Sequence, residues 1–310
     1  MKHLKYAIYI PLALLVGLWV FAVFFHERVY DGVFYTDRAG LRVLVPYEIE
    51  TIISLGASNT EILVELGFGD YIIATDAWSA GIAGLPQNIT VVNMLDLDAE
   101  ELIALEADVI FITPMRTIEG SSRPLETLRH RGEAVITIPE GNSVDCIVAD
   151  ILLIAEILGV VKDGVEVISD MLAEIQRISE IVEQVETPRT VYFEIDTLQN
   201  ITTFGSDTIL NELIELSGAV NAFANQTNWI AVTENQVIEA NPDVILTSVP
   251  WLPDPVANIT QRTGWHEINA VQQNKVFAID PNTARRNSHN IVTALQQIAI
   301  AIYPEYFDEY

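Results

Sequence analysis

Four residues have the types and positions that ligand chemistry asks for: Trp78, Trp229, Arg285 and Arg286. Trp78 stands in "TDAWS", directly after an apolar run, and Trp229 stands in "QTNWIAV". An indole is large, flat and apolar, so it either caps its own core or stacks on a planar or hydrophobic ligand. Arg285 and Arg286 are adjacent in "DPNTARRNSHN", just past the run "KVFAI". Two neighbouring guanidiniums in so acidic a chain call for anionic partners, either protein carboxylates or a ligand group. The signatures of catalysis are missing. No G-x-x-x-x-G-K-S/T, G-x-S-x-G, H-E-x-x-H or C-x-x-C occurs, and "GASNTE" lacks the glycine spacing of a dinucleotide loop. Of the five histidines, His3 and His26 flank an apolar N-terminal segment, and His130 falls inside the helical "LETLRHRG". His266 and His289 alone do not make a three-histidine metal site. Asp76, Asp207 and Arg286 lie near expected strand ends, but they form no nucleophile–base pattern. The sequence therefore assigns no catalytic residue, no metal ligand and no resident cofactor.

The elements that must position these residues read as alternating strands and helices. "TIISL" (51–55) is β-rich, and "SNTE" after it reads as a capping box with Ser58 as N-cap and Glu61 three residues on. Ile62, Leu63 and Leu66 supply a helix face that Gly67 ends. "YIIAT", "DVIFIT" and "AVITI" are further strands, with "AEELIALEA" and "PLETLRHRG" as helices between them. Strands apolar on both faces imply a parallel sheet covered by helices. A second run of the same kind follows: "TVYFEI", "SDTILNELIELSG", "ENQVIEANPDVILTSV" and "KVFAI". Residues 99–113 and 234–248 echo each other, each an acidic helix start leading into an Asp and an apolar strand. Between the halves, Ile168, Met171, Ile175, Ile178, Val182 and Val185 are spaced 3, 4, 3, 4, 3, one apolar stripe on a long helix. The fold class is α/β: two Rossmann-like lobes at 43–163 and 188–310, joined by a rigid connector helix at 164–187. Trp78 and the arginine pair then fall at carboxyl ends of strands, where open α/β sheets place ligands.

Composition narrows the partners. The formal net charge is -27 and only four residues are Lys, a surface that repels nucleic acid. Lys2 and Lys5 precede about 20 uncharged residues, Tyr6 to Phe25, long enough to cross a bilayer. No small-residue cleavage site and no lipid-bearing Cys follows, so residues 1–30 are expected to stay as a transmembrane anchor. The basic flank comes first, which puts the body on the extracellular or periplasmic side. Sequons begin at Asn88, Asn200, Asn225 and Asn258, candidate glycosylation sites consistent with that side. The single cysteine, Cys146, sits in the apolar "VDCIVADILLIAEILG" and is expected to be a buried, inert thiol.

The chain resembles the periplasmic binding proteins of ABC importers for iron-siderophores, haem and cobalamin, two lobes joined by a long helix. The resemblance covers roughly residues 43–303 and rests on "TIISLGASNTEILVELGFGDYIIATDAWS", "LDAEELIALEADVIFI", "GSDTILNELIELSGAVNAFA", "VTENQVIEANPDVILTS" and "TGWHEINAVQQNKVFAID". It implies a binding protein and no enzyme, capturing an iron complex or a corrinoid between its lobes for a permease and its ATPase. By resemblance Trp78 and Trp229 line the two sides of the cleft, and Arg286, with Arg285 beside it, is the basic residue near the ligand. Glu100 matches the first lobe's docking carboxylate for the permease. The second lobe's docking position falls on Asn235, and Glu234 stands one residue early. A small oxyanion such as molybdate is the alternative cargo. An extracellular sensing or adhesion module is the alternative role.

Overall fold

The apolar runs assemble into two separate parallel sheets, each with its own helices, in a computed structural model that describes residues 31–114 and 122–307. The chain enters through an antiparallel hairpin, β1 (Gly32–Thr36) and β2 (Arg42–Pro46). The first lobe follows as β3 (Ile52–Leu55), α1 (Ala57–Glu65), β4 (Ile72–Asp76), β5 (Thr90–Val92), α2 (Ala99–Ala104), β6 (Val109–Ile112), α3 (Ser122–His130), β7 (Val135–Thr137) and α4 (Val144–Ile157). Its strands pair in the order β5-β4-β3-β6-β7, all parallel. The order reverses at β3: the chain first builds outward through β4 and β5, then returns to lay down β6 and β7 on the other side. Such a reversal opens a crevice at the carboxyl ends of the strands.

Helix α5 (Val161–Val182) leaves this lobe, about 33 Å long at 1.5 Å per residue. Ile168, Met171, Ile175, Ile178 and Val182 are its buried stripe. They belong to one apolar core that runs from β3 and α4 in the first lobe to α6 and α11 in the second. Gly164 lets α5 press on α4, since a Cβ there would stand 2.5 Å from the Ala155 Cβ. The second lobe contains β8 (Thr190–Glu194), β9 (Ile201–Phe204), α6 (Ile209–Leu216), β10 (Val220–Asn221), β11 (Trp229–Val232), α7 (Glu234–Ala240), β12 (Val244–Thr247), α8 (Pro255–Thr260), α9 (Asn269–Gln272), β13 (Val276–Ala278), α10 (Pro281–Arg285) and α11 (Ile291–Ile302). Its parallel sheet runs β10-β8-β12-β13. An antiparallel ribbon, β9 with β11, stands apart from that sheet.

One local expectation is corrected. Ser58 does not cap α1. The N-cap is Gly56, with no side-chain cap, and Ser58 lies inside the first turn. Glu61 is consequently free of the capping role, and it is buried and turned toward the other lobe. The expected membrane anchor at 1–30 lies outside the described residues; among those described, no helix is long and apolar enough to cross a membrane.

Candidate functional site

Asp76 ends β4 and sets the loop that carries Trp78. Its buried carboxylate accepts from the backbone N–H of Gly56 (2.7 Å), Trp78 (2.8 Å) and Ser79 (3.2 Å) and from the Ser79 hydroxyl (2.6 Å). So many donors make it a structural acceptor. They fix the backbone of Trp78, whose indole stays 53% exposed. The carboxyl ends of β3, β4, β6 and β7 converge here and wall a chamber of about 410 Å³ with Trp78, Thr113, Pro139 and Arg285 among its lining.

Trp229 comes from the second lobe. It is the first residue of β11, opposite Phe204 on β9. Its ring meets the Phe204 ring edge-on at 5.9 Å and remains 42% exposed. The ribbon needs a glycine behind it, because a Cβ at Gly205 would stand 2.2 Å from the Gln226 carbonyl oxygen. Trp229 lines two further chambers of about 300 and 240 Å³. The three spaces share linings: Glu140 faces all of them, and Arg285 faces two. They form one cleft between the lobes, with an indole from each lobe on its walls.

The two arginines have different partners. Arg286 donates to Glu61 Oε1 (2.6 Å) across the lobes, and also to the Trp78 carbonyl (3.2 Å) and Asn282 (3.1 Å). Ser288 donates to the other Glu61 oxygen, Asn287 N–H donates to Ser58 Oγ (2.9 Å), and the Asn287 amide donates to the Gly141 carbonyl (2.7 Å). Residues 286–288 thus clasp the first lobe beside the cleft. Arg285 donates to the Ile195 carbonyl and lies 5.9 Å from the Trp251 ring centre, with no ion pair among the described residues. Burial holds its guanidinium below the usual arginine range. Of the pair, Arg286 thus has a carboxylate partner, and Arg285 has none among the described residues.

The sequence reading missed two residues on these walls. Arg38, on the hairpin turn, reaches the second chamber and donates from Nε to Asp150 (2.6 Å). Burial pushes the Asp150 carboxyl up to about 6 in spite of that partner. Glu140, in "IPEGNS" after β7, is exposed and central to all three chambers. An acidic residue just past a strand end was its only signal. Cys146 is half-buried at the rim of the second chamber rather than sealed in a core; hydrogen bonding from Ser143 chiefly pushes its thiol down.

The remaining candidates lie elsewhere. His289 is half-buried with Nε2 3.4 Å from Glu65, and desolvation pushes it below the ordinary imidazole range. Among the described residues no group of three or more His, Cys, Asp or Glu is arranged to hold a metal ion. Glu100 and Glu234 are exposed on the first turns of α2 and α7. Asn88, Asn200, Asn225 and Asn258 are all exposed, although Asn258 Oδ1 accepts from Arg262 (2.7 Å).

Residues 52–283 match the family described as periplasmic binding protein. An uncharacterized ABC transporter substrate-binding lipoprotein of Bacillus subtilis, YvrC, is 28% identical over 280 residues, covering 88% of this chain and 86% of that protein. A vitamin B12-binding protein of Pectobacterium carotovorum is 25% identical over 252 residues, covering 80% of this chain and 87% of its own length. The molybdate-bound periplasmic binding protein MolA of Haemophilus influenzae superposes with a TM-score of 0.75 at 23% identity, covering 89% of this chain and 93% of that one, a likeness of fold. The chain belongs to the periplasmic binding protein family, as a solute-binding protein of the ABC-importer type rather than an enzyme.

Proposed function

We propose that this chain captures a large metal chelate, an iron-siderophore, haem or corrinoid, in the cleft between its lobes and hands it to an ABC permease driven by its ATPase. The observation that carries the reading is the pair of half-exposed indoles, one from each lobe, on the walls of one continuous cleft. Exposed tryptophans held by rigid backbone are stacking surfaces waiting for a partner. A vitamin B12-binding relative supports a cargo of this size. A tetrahedral oxyanion such as molybdate would leave both indoles uncovered.

The body is placed outside the membrane, tethered by the segment 6–25, and Glu100 and Glu234 are the docking carboxylates. The connector α5 and the clasp at 286–288 limit closure to a small rotation of one lobe on the other. Thermal shift against cobinamide, ferrioxamine B, hemin and molybdate tests the reading. A ligand at 100 times its Kd adds about 2.7 kcal/mol of stability. The stabilisation should vanish in Trp78→Ala and shrink in Trp229→Ala. Silence from every chelate with a folded protein would favour a sensing or adhesion role.

A further inference from the structure

The cleft is charged the wrong way for an anion. Its described lining holds four carboxylates, Asp76, Glu140, Asp150 and Asp207, against two guanidiniums, Arg38 and Arg285. Arg38 is already paired with Asp150, and Asp76 is consumed by its own loop. That leaves Glu140 and Asp207, both exposed and neither with a side-chain hydrogen bond or ion pair among the described residues, facing a single unpaired cation, Arg285. The whole chain, at -27, adds a field of the same sign.

A second observation is independent of charge. Asn59 is fully buried beneath the largest chamber, and its Nδ2 donates to Thr113 Oγ1 (3.1 Å). Its Oδ1 has no partner. A buried acceptor left unpaired is costly, and only a donor satisfies it. The open acceptors on the walls are Glu140 and Asp207, with the unpaired Asn59 Oδ1 buried beneath the chamber. The indole faces of Trp78 and Trp229 also favour cations over anions.

Resting on the proposed chelate-binding reading, we infer that the cargo is a neutral-to-cationic chelate rich in N–H or O–H donors, such as a carboxamide-bearing or ammonium-bearing ring or hydroxamate complex, and that Glu140 is the residue that reads its charge. Polyanionic chelates and oxyanions are excluded by the same carboxylates that hold the cation. Glu140 suits the role because it alone touches all three chambers and is unencumbered.

The test uses two corrinoids with the same ring and opposite charge: diaquacobinamide, a cation with amide arms, and cobyrinic acid heptacarboxylate. Tryptophan fluorescence quenching on the full-length protein in mild detergent gives both affinities, with ferrioxamine B and hemin as chelates of a different frame. The expected result is cobinamide binding at least about tenfold tighter than the heptacarboxylate. Glu140→Gln should weaken cobinamide about three- to fivefold and strengthen the heptacarboxylate, with an unchanged melting temperature because the side chain is exposed and unpaired. Raising salt from about 0.05 M to about 0.5 M should narrow the gap. Equal affinities, tighter binding of the heptacarboxylate, or indifference to Glu140→Gln would overturn the charge inference and leave chelate binding standing. No binding by any of the four chelates would overturn the chelate reading itself, and the inference with it.

Discussion

At the scale of single residues, Glu61 is the side chain on which the two lobes meet. It is almost wholly buried, and it accepts from Arg286 and Ser288, both more than 200 positions away in the chain. Removing one partner of such a pair strands the other charge, so Glu61→Gln should cost about 2–4 kcal/mol in urea unfolding. The double variant Glu61→Gln/Arg286→Met should recover part of that loss; a sum of two independent costs would show that the residues do not act as a pair. Asp150 offers a pH signature. Burial raises its carboxyl from the ordinary 3.8 to about 6. Between those values the folded state keeps the proton that the unfolded chain has released, so this group's contribution falls as pH rises. Asp150→Asn cannot ionise. Wild-type stability relative to that variant should therefore drop by about 2–3 kcal/mol across that window, and a flat difference would mean that Arg38 offsets the burial. Little of this was legible in the sequence. Trp78 was, because it follows a recognisable strand. Arg286 read equally well as a ligand cation or an ion pair, since its partner is fixed only by folding. Glu140 had no pattern at all, because its role comes from the convergence of three chambers.

At the scale of elements, what could be read was what periodicity determines locally. The strands β3, β6, β8 and β12 are apolar on both faces, and the stripe on α5 repeats every three or four residues. Both patterns are set by which faces are buried, so they show in the chain itself. The hairpin and the ribbon were not visible. β1 keeps Val33 and Phe34 exposed, and β9 must find β11 across α6 and β10. The ribbon nevertheless holds Trp229, and it depends on Gly205. Gly205→Ala drives a methyl against the Gln226 carbonyl, so the backbone must shift. The expected outcome is a loss of chelate affinity of about tenfold with a changed Trp229 emission, while the parallel sheet survives in circular dichroism. Unaltered affinity would mean that Trp229 is not a wall of the working site. For the connector, Ile178 is fully buried on the α5 stripe, and Ile178→Ala should cost about 2–4 kcal/mol by urea unfolding. A much smaller loss would show that α5 is not built into the common core.

At the scale of the whole molecule, the proposed docking carboxylates stand on related but unequal helix starts, one in each lobe. α2 begins after Asp98, whose carboxylate accepts from Glu100 N–H (2.9 Å), and Glu100 is the second helical residue. α7 begins after Thr233 with a capping box to Gln236, which places Glu234 first and Asn235 second. One residue on a helix turns a side chain by about 100°, so Glu234 cannot repeat the direction of Glu100. With a net charge of -27, long-range attraction to a basic partner surface is supplied by the molecule as a whole, and individual carboxylates matter for register rather than for encounter. Docking should therefore be lopsided. In proteoliposomes carrying the cognate permease and ATPase, Glu100→Lys should cut ligand-stimulated ATP hydrolysis about tenfold or more without changing chelate affinity. Glu234→Ala should cost less than about threefold, and Asn235→Glu should raise stimulation above wild type. If Glu234→Ala is as damaging as Glu100→Lys, Glu234 itself completes the second contact and the permease accepts the rotated side chain. If Glu100→Lys is silent, the docking face lies elsewhere and the echo between the two helix starts belongs to the fold alone.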